Sequence, residues 1–189
     1  MFIRSTSLII AALLAGTAVA APETYTIDPR HTFPSFEVNH LGFSTQRGRF
    51  NSTSGTIVLD RAARSASVEV SIDVRSINTG LDKLEQHLVA EDFFYATKYP
   101  KINFKSTHAR FEGDKLVALD GDLTMRGVTR PVTLTMSSFY CGMHPILKKP
   151  ACGADAMTMI KRSDYGINYA LPAVGDDVKL LIQVEAHKQ

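Results

Sequence analysis

Three basic side chains in the sequence could bind an ionic group: His31, His40 and Arg162. An arginine guanidinium can hold a phosphate or a carboxylate through two parallel hydrogen bonds, and a histidine can add a further polar contact. We therefore consider these three residues as candidates for contacting the head group of a ligand.

His40 alternates with Phe36 and Val38, so in a strand the three side chains share one apolar face. A core histidine that hydrogen-bonds to the backbone is one interpretation. A contact from His40 or His31 to a ligand head group is the second, and a metal site shared with Asp28 is the third.

Arg162 also has two interpretations. It stands two residues before Asp164, so the pair could form an ion pair that stabilises the corner between a strand and a turn. Otherwise its guanidinium is available to an anionic head group.

Catalytic motifs give no support for an enzyme. The sequence has no Gly-x-Ser-x-Gly, His-Glu-x-x-His or phosphate-binding Gly-x-x-x-x-Gly-Lys-Ser/Thr motif. The carboxylate pairs Glu91/Asp92 and Asp176/Asp177 lie beside loops and are interpreted as solvated charges. No catalytic residue and no cofactor are predicted, and an enzyme that acts on an amphiphile is kept as an alternative.

Two cysteines, Cys141 and Cys152, are separated by a segment rich in glycine and proline. In an exported protein such a pair predicts a disulfide. A cysteine-based metal site is the alternative, but only His144 is near and no Cys-x-x-Cys is present. We therefore predict a disulfide that stabilises this loop without forming part of the ligand site, and no metal site.

An export signal is predicted over residues 1–20. Arg4 precedes a short apolar run over residues 8–15, and Ala18-Val19-Ala20 is a small-residue cleavage site. An uncleaved anchor is the alternative. Residues 21–189 then form one domain without a membrane span, in the periplasm.

Charge argues against a nucleic-acid partner. The formal net charge is +2, or +1 without Arg4, and acidic and basic residues are interspersed. A homodimer is left open.

Period-two alternation of apolar and polar residues dominates the chain, and it predicts one-sided antiparallel strands. One short helix is predicted near 80–90, where Leu81, Leu84 and Leu88 recur at helical spacing, with Thr79 in a capping box. Periodicity alone does not distinguish a barrel from a sandwich. The predicted strands are 24–28, 34–40, 45–50, 55–60, 66–75, 101–111, 115–126, 128–139, 155–162 and 177–187, with hairpin turns at Gly113-Asp114 and Arg126-Gly127.

The connection after the helix is unusually aromatic. Its rings are Phe93, Phe94, Tyr95, Tyr99 and Phe104. Exposed rings forgo the free energy of burial, so we expect this segment to fold over an apolar space. Phe93 and Phe94 could close over a ligand or belong only to the core.

Ordered motifs along residues 25–176 resemble the YceI-like lipid-binding proteins of the bacterial periplasm. They include Tyr25-Thr26-Ile27-Asp28, His40-Leu41-Gly42, Asp92-Phe93-Phe94, Tyr99-Pro100 and Lys161-Arg162-Ser163-Asp164-Tyr165-Gly166.

The resemblance implies a mainly β fold, a single lipocalin-like antiparallel barrel of about eight strands. It also implies a binding or carrier protein for an isoprenoid or similar amphiphilic lipid, with a quinone as a further ligand. A stress-related interaction protein without lipid is the other alternative. The predicted cavity residues are Phe36, Val38, Phe50, Phe93, Phe94, Phe104, Leu123, Leu134, Met157 and Ile182.

Overall fold

The computed structural model of the protein describes residues 21–189, so the predicted export signal lies outside the described residues. Eleven strands and one helix, α1 (Asp82–Leu88), follow one another along this part of the chain. The strands are β1 (Glu23–Ile27), β2 (Phe33–His40), β3 (Ser44–Phe50), β4 (Thr53–Asp60), β5 (Ser65–Asp73), β6 (Ile77–Asn78), β7 (Lys101–Glu112), β8 (Lys115–Met125), β9 (Val128–Met143), β10 (Pro150–Lys161) and β11 (Val174–Lys188).

Eight of these strands form a closed antiparallel barrel, which confirms the predicted fold class. Around the barrel they run β1, β4, β5, β7, β8, β9, β10 and β11. Strand β1 closes the ring because it pairs with β4 on one side and with the end of β11 on the other. Tyr25 lies opposite Ile57 in the first pair and opposite Lys188 in the second.

Strand β2 continues the wall where β1 stops. It pairs with the first part of β11, and Val38 lies opposite Val178. Strand β3 pairs with β2, and the two-residue strand β6, which the sequence did not predict, pairs with the end of β3. One edge of β11 is thus covered by β1 near its end and by β2 over its first two thirds.

Side-chain alternation explains why these segments form a barrel wall. In β5, Val68, Val70 and Ile72 point inward, and the intervening Glu69 and Ser71 point outward or sideways. The two predicted hairpins are confirmed, since β7 pairs with β8 and β8 with β9. Each antiparallel strand therefore contributes one apolar face to the interior.

Helix α1 lies where the sequence predicted it, but the predicted cap is wrong. Leu81 occupies the N-cap position and its side chain makes no capping hydrogen bond. Glu85 reaches back instead, and its Oε1 accepts the backbone N–H of Thr79 at 2.7 Å. A carboxylate from the first turn thus holds the entry to the helix. Among residues 21–189, no helix is long and apolar enough to cross a membrane.

Candidate functional site

The barrel encloses one large apolar cavity of about 540 Å³. This volume lies within the range of about 300–1,000 Å³ that is usual for small-molecule sites. Its wall is built from the inward side chains of the barrel strands, together with α1 and the segment that follows it. The interior can therefore accept an elongated apolar group.

Nine of the ten side chains predicted to face the cavity lie along its wall. They are Phe36, Val38, Phe50, Phe93, Phe94, Phe104, Leu123, Leu134 and Ile182. Their contact with a ligand stays a prediction, because their position on the wall is equally compatible with a core role.

Met157 requires a correction. It lies on the outer face of β10 and is 39% exposed. The residues of β10 that face the cavity are small, among them Ala154 and Ala156, and the pairing of β9 with β10 shifts register between Asp155 and Ala156. Because Met157 is apolar, the alternation pattern predicted that it faces inward from β10, and this prediction is wrong.

Three aromatic rings form a continuous path within the wall. The centroid of Phe50 lies 6.2 Å from that of Phe36 and 5.7 Å from that of Phe94, in tilted and edge-to-face arrangements. Such pairs stabilise beyond the area that they bury. The path joins β2 and β3 to the connection after α1, so Phe94 belongs to the packed interior as well as to the cavity wall.

Exposed lining residues mark one end of the cavity as its mouth, and these are His40, Tyr169 and Ala170. A second aromatic cluster lies there. The ring centroid of His87 is 4.9 Å from those of both Phe93 and Tyr169, edge-to-face. No sequence motif selected His87, although its spacing from Leu84 on α1 could have placed it on the inner face of the helix.

His31 and His40 lie at opposite ends of β2. His31 lies two residues before β2 begins and His40 is its last residue, so the strand between them spans roughly 25 Å. His40 lies at the mouth, beside Val174 in the neighbouring strand, whereas His31 is exposed near the end of β11. Only one of the two histidines can therefore share a site with Arg162.

Arg162 does not pair with Asp164, and this interpretation is corrected. Its guanidinium is buried and donates to four backbone carbonyl oxygens, at distances of 2.8–3.0 Å. Burial lowers the pKa of the guanidinium, which nevertheless stays charged. The carbonyls belong to Ile167, Tyr169, Val174 and Gly175. Arg162 thus holds the segment that borders the mouth, and only one of its five N–H groups is left for another partner.

The predicted disulfide is confirmed, and its loop is more ordered than expected. Cys141 and Cys152 lie directly opposite each other in the β9–β10 pair. Cys152 also lies on the cavity wall, contrary to the expectation that the disulfide stands apart from the ligand site. A disulfide of this kind is typical of an oxidising compartment.

The Asp176/Asp177 pair has no shared catalytic geometry. Asp176 accepts the backbone N–H of Ser163 at 2.9 Å and its hydroxyl at 2.8 Å. The hydrogen bond from the Ser163 backbone is the main cause that lowers the pKa of Asp176. Asp177, by contrast, is exposed and pairs with Lys161. One carboxylate therefore stabilises a corner and the other is solvated.

The structure is a closed antiparallel barrel around an apolar cavity, and a cavity of this kind can accommodate an apolar or amphiphilic molecule. Residues 25–186 match the YceI-like domain. A relative, Protein YceI of Shigella flexneri, is 38% identical over 176 residues, which are 93% of this chain and 91% of the relative. The chain belongs to the YceI-like family.

Two solved structures share the fold. BcnA of Burkholderia cenocepacia matches with a TM-score of 0.70 at 23% identity, over 84% of this chain and 98% of its own. A polyisoprenoid binding domain from Saccharophagus degradans, implicated in plant cell wall breakdown, matches with a TM-score of 0.65 at 16% identity. That match covers 87% of this chain and 98% of the other.

Proposed function

We propose that this protein is a periplasmic binding or carrier protein for an isoprenoid or a similar amphiphilic lipid. The observation that carries the proposal is the cavity of about 540 Å³, whose wall is almost entirely apolar. An apolar chain gains free energy roughly in proportion to the area that it withdraws from water. A cavity of this shape and lining suits a hydrocarbon tail better than a polar metabolite.

The name of one structural neighbour supports the choice of lipid. The domain from Saccharophagus degradans is described as binding polyisoprenoids, and it shares the barrel. The fold alone does not carry a ligand from one protein to another. The aromatic path of Phe36, Phe50 and Phe94 supports the same conclusion independently, since flat rings pack well against branched, unsaturated chains.

We place the head group at the mouth. His40, Gln46 and His87 are polar residues that line the cavity there, and the Tyr169 ring borders them. The role of Arg162 is to hold the rim, because four of its N–H groups are bonded to the backbone. Its positive charge and its remaining N–H also favour an anionic head group.

Two features support a periplasmic location. The Cys141–Cys152 disulfide is typical of an oxidising compartment, and the sequence begins with a segment of the kind that directs export. Together they favour the periplasm. N-terminal sequencing of the exported protein should find Ala21 as the first residue.

Mass spectrometry of an organic extract tests the proposed ligand. Protein purified without detergent should release a lipid in near-stoichiometric amount, and the delipidated protein should bind an added polyprenyl phosphate. Ala154→Leu, which adds volume inside the cavity, should weaken this binding. Met157→Leu, on the outer face of the same strand, should not. An extract without lipid, together with no binding of the added probe, would refute the proposal, and conversion of the probe would identify an enzyme.

A further inference from the structure

Two residues near the end of β11 project from the same face of the strand. Glu185 and His187 are two positions apart, and the intervening Ala186 points into the core with 0% exposure. His144, in the turn between β9 and β10, faces them. One imidazole nitrogen from each histidine and one carboxylate oxygen all lie within 4.8 Å of one another.

Strand pairing brings His144 to this position. Ala151 of β10 lies opposite His187, and the β9–β10 hairpin is cross-linked by the Cys141–Cys152 disulfide. The ring centroids of His144 and His187 are 5.3 Å apart and their planes are nearly perpendicular, at 89°. The turn that carries His144 is therefore held over the end of β11 by covalent and backbone bonds.

His187 has a buried nitrogen without a hydrogen-bond partner beside this cluster. The residue is 9% exposed, and its Nε2 has no hydrogen-bond partner among residues 21–189. The Asp28 carboxylate is the charged group beside it, with Oδ2 at 4.0 Å, which is beyond hydrogen-bonding distance. Buried polar atoms in folded proteins normally have a partner, so this nitrogen is available to a ligand.

Two carboxylates, those of Glu185 and Asp28, lie beside the two histidines. Asp28 is buried, with only 3% of its side chain exposed, and it accepts hydrogen bonds from the guanidinium of Arg30 at 3.1 and 3.2 Å. The Glu185 carboxylate has its Oε2 3.8 Å from the Nδ1 of His31. A cation bound here would be stabilised directly by the Glu185 carboxylate, whereas Asp28 is already paired with Arg30.

We propose that His144, Glu185 and His187 form a zinc site at the end of the barrel where β1 pairs with β11. Two imidazoles and one carboxylate are ligands that Zn²⁺ accepts in tetrahedral geometry, with a water molecule in the fourth position. Ligand atoms in such a site are about 3.3–3.5 Å apart, so small side-chain rotations would complete it. Cu²⁺ would bind the same ligands more tightly in a competition.

Zinc binding must change the turn that contains His144. Its Nδ1 accepts the backbone N–H groups of Ile146 at 3.2 Å and Leu147 at 3.1 Å. A metal ion on Nδ1 displaces these two hydrogen bonds. A metal ion on Nε2 requires a proton on Nδ1, and this proton repels the two backbone N–H groups. The turn is exposed, so both N–H groups can bond to water instead. Their release is a specific signature of coordination by His144.

The proposed zinc site is separate from the mouth of the cavity. Glu185 lies 11 residues of extended strand from Val174, or about 36 Å. Zinc binding is therefore expected whether or not a lipid occupies the cavity. A failure of the lipid proposal would leave the zinc proposal standing, and the reverse also holds.

Isothermal titration of the tag-free, chelator-treated full chain with Zn²⁺ tests the site. One ion should bind per chain, and His144→Ala and Glu185→Gln should each lower the affinity roughly tenfold or more. His108→Ala, an exposed histidine on β7, is the matched control and should bind like the parent. Both tested positions are only half-buried, so these variants should fold.

The backbone amides give a second measurement. Zinc should shift the amide resonances of Ile146 and Leu147 in the parent protein, and His144→Ala should lose this response. No stoichiometric binding by the parent, or equal affinity in the parent, His144→Ala and Glu185→Gln, would overturn the proposal. Zinc binding that leaves the two amides unchanged would exclude His144 as a ligand and would likewise overturn the site as described.

Discussion

The ring of Phe36 covers Gly48, its partner across the β2–β3 pair. A Cβ atom added at Gly48 would come within 2.7 Å of Cε1 of that ring, far inside van der Waals contact. Glycine therefore lets the Phe36 ring lie flat against β3 and leaves the cavity open in front of it. The backbone of one strand thus determines how much space the neighbouring side chain takes from the cavity.

Gly48→Ala should push the Phe36 ring into the cavity and so remove contacts with the lipid. We expect binding to weaken roughly tenfold, which corresponds to a loss of about 1.4 kcal/mol in the binding free energy. Binding of a fluorescent polyprenyl probe measures it. Gly153→Ala is the control, since its added Cβ would meet Val184 O at an ordinary 3.5 Å. Equal probe affinity in Gly48→Ala and the parent would show that the ring has room elsewhere.

Arg162→Ala should destabilise the protein rather than abolish selectivity. The change leaves four backbone carbonyls without their donor, and each unsatisfied buried acceptor costs about 1–3 kcal/mol where water cannot replace the bond. We expect a loss of about 3 kcal/mol or more in the free energy of unfolding, measured by urea denaturation. Arg130→Ala is the control, because Arg130 makes a single exposed bond of 3.3 Å to Asp164 O.

The ratio of affinities for an anionic and a neutral polyprenyl ligand separates the two roles of Arg162. If the folded fraction of Arg162→Ala keeps the parent's ratio, the guanidinium acts through the rim alone. A selective loss of the anionic ligand, with unchanged stability, would contradict the structural role assigned here.

Reduction of the Cys141–Cys152 disulfide should lower stability. On the chain-entropy model, closing a loop of this length contributes about 3 kcal/mol. The Cys141→Ser/Cys152→Ser double variant should therefore melt at a lower temperature than the parent in calorimetry. Adding a reductant should destabilise the parent and leave the variant unaffected. A parent protein that melts at the same temperature with and without reductant would refute this contribution.

Asp176 should make stability depend on pH in the acid range. Its pKa is lowered in the folded protein, chiefly by the N–H of Ser163, so the carboxylate stabilises the fold at pH values above the ordinary value of 3.8. This contribution is lost as the pH falls through the lower, folded pKa.

Urea denaturation between pH 6 and pH 2.5 measures the Asp176 contribution. The parent should lose more stability on acidification than Asp176→Asn, which has no charge to neutralise. Asp177→Asn is the control, because that carboxylate is 64% exposed and its ion pair with Lys161 is solvated. Parallel pH profiles for the parent and Asp176→Asn would show that Asp176 does not contribute.

The sequence predicted the barrel wall well because alternation is a local signal. Strand β5, with Val68, Val70 and Ile72 inward, has one apolar face that burial enforces. The signal fails in β10, where the inward residues Ala154 and Ala156 are less apolar than the outward Met157. A small side chain is selected there by the space available, which hydropathy does not encode.

Contacts between distant residues could not be predicted in the same way. Arg162 has an acidic residue two positions away in sequence, yet its partners are carbonyls five to thirteen residues ahead. His144 and His187 meet because β9, β10 and β11 are neighbours in the sheet. Both arrangements depend on strand register and loop path, which a single sequence does not specify.

The adjacent rings of Phe93 and Phe94 should have different roles. Phe94 packs against Phe50 in the interior, whereas Phe93 belongs to the mouth cluster with His87 and Tyr169. Phe94→Ala should therefore lower the free energy of unfolding by about 3 kcal/mol, since it leaves a cavity in packed surroundings. Phe93→Ala removes contacts at the mouth of the cavity. The neighbouring rings of His87 and Tyr169 can then move into the space that the Phe93 ring leaves.

Compared with Phe94→Ala, Phe93→Ala should thus lower the free energy of unfolding less and weaken lipid binding more. Urea denaturation of the lipid-free protein and titration with a polyprenyl probe, done on both variants, provide the comparison. Tyr95→Ala is the control, because its ring pairs with Tyr99 outside the cavity wall. If both phenylalanine variants lose stability and the folded fraction of each binds the probe like the parent, the two rings are core residues and the segment does not close over a ligand.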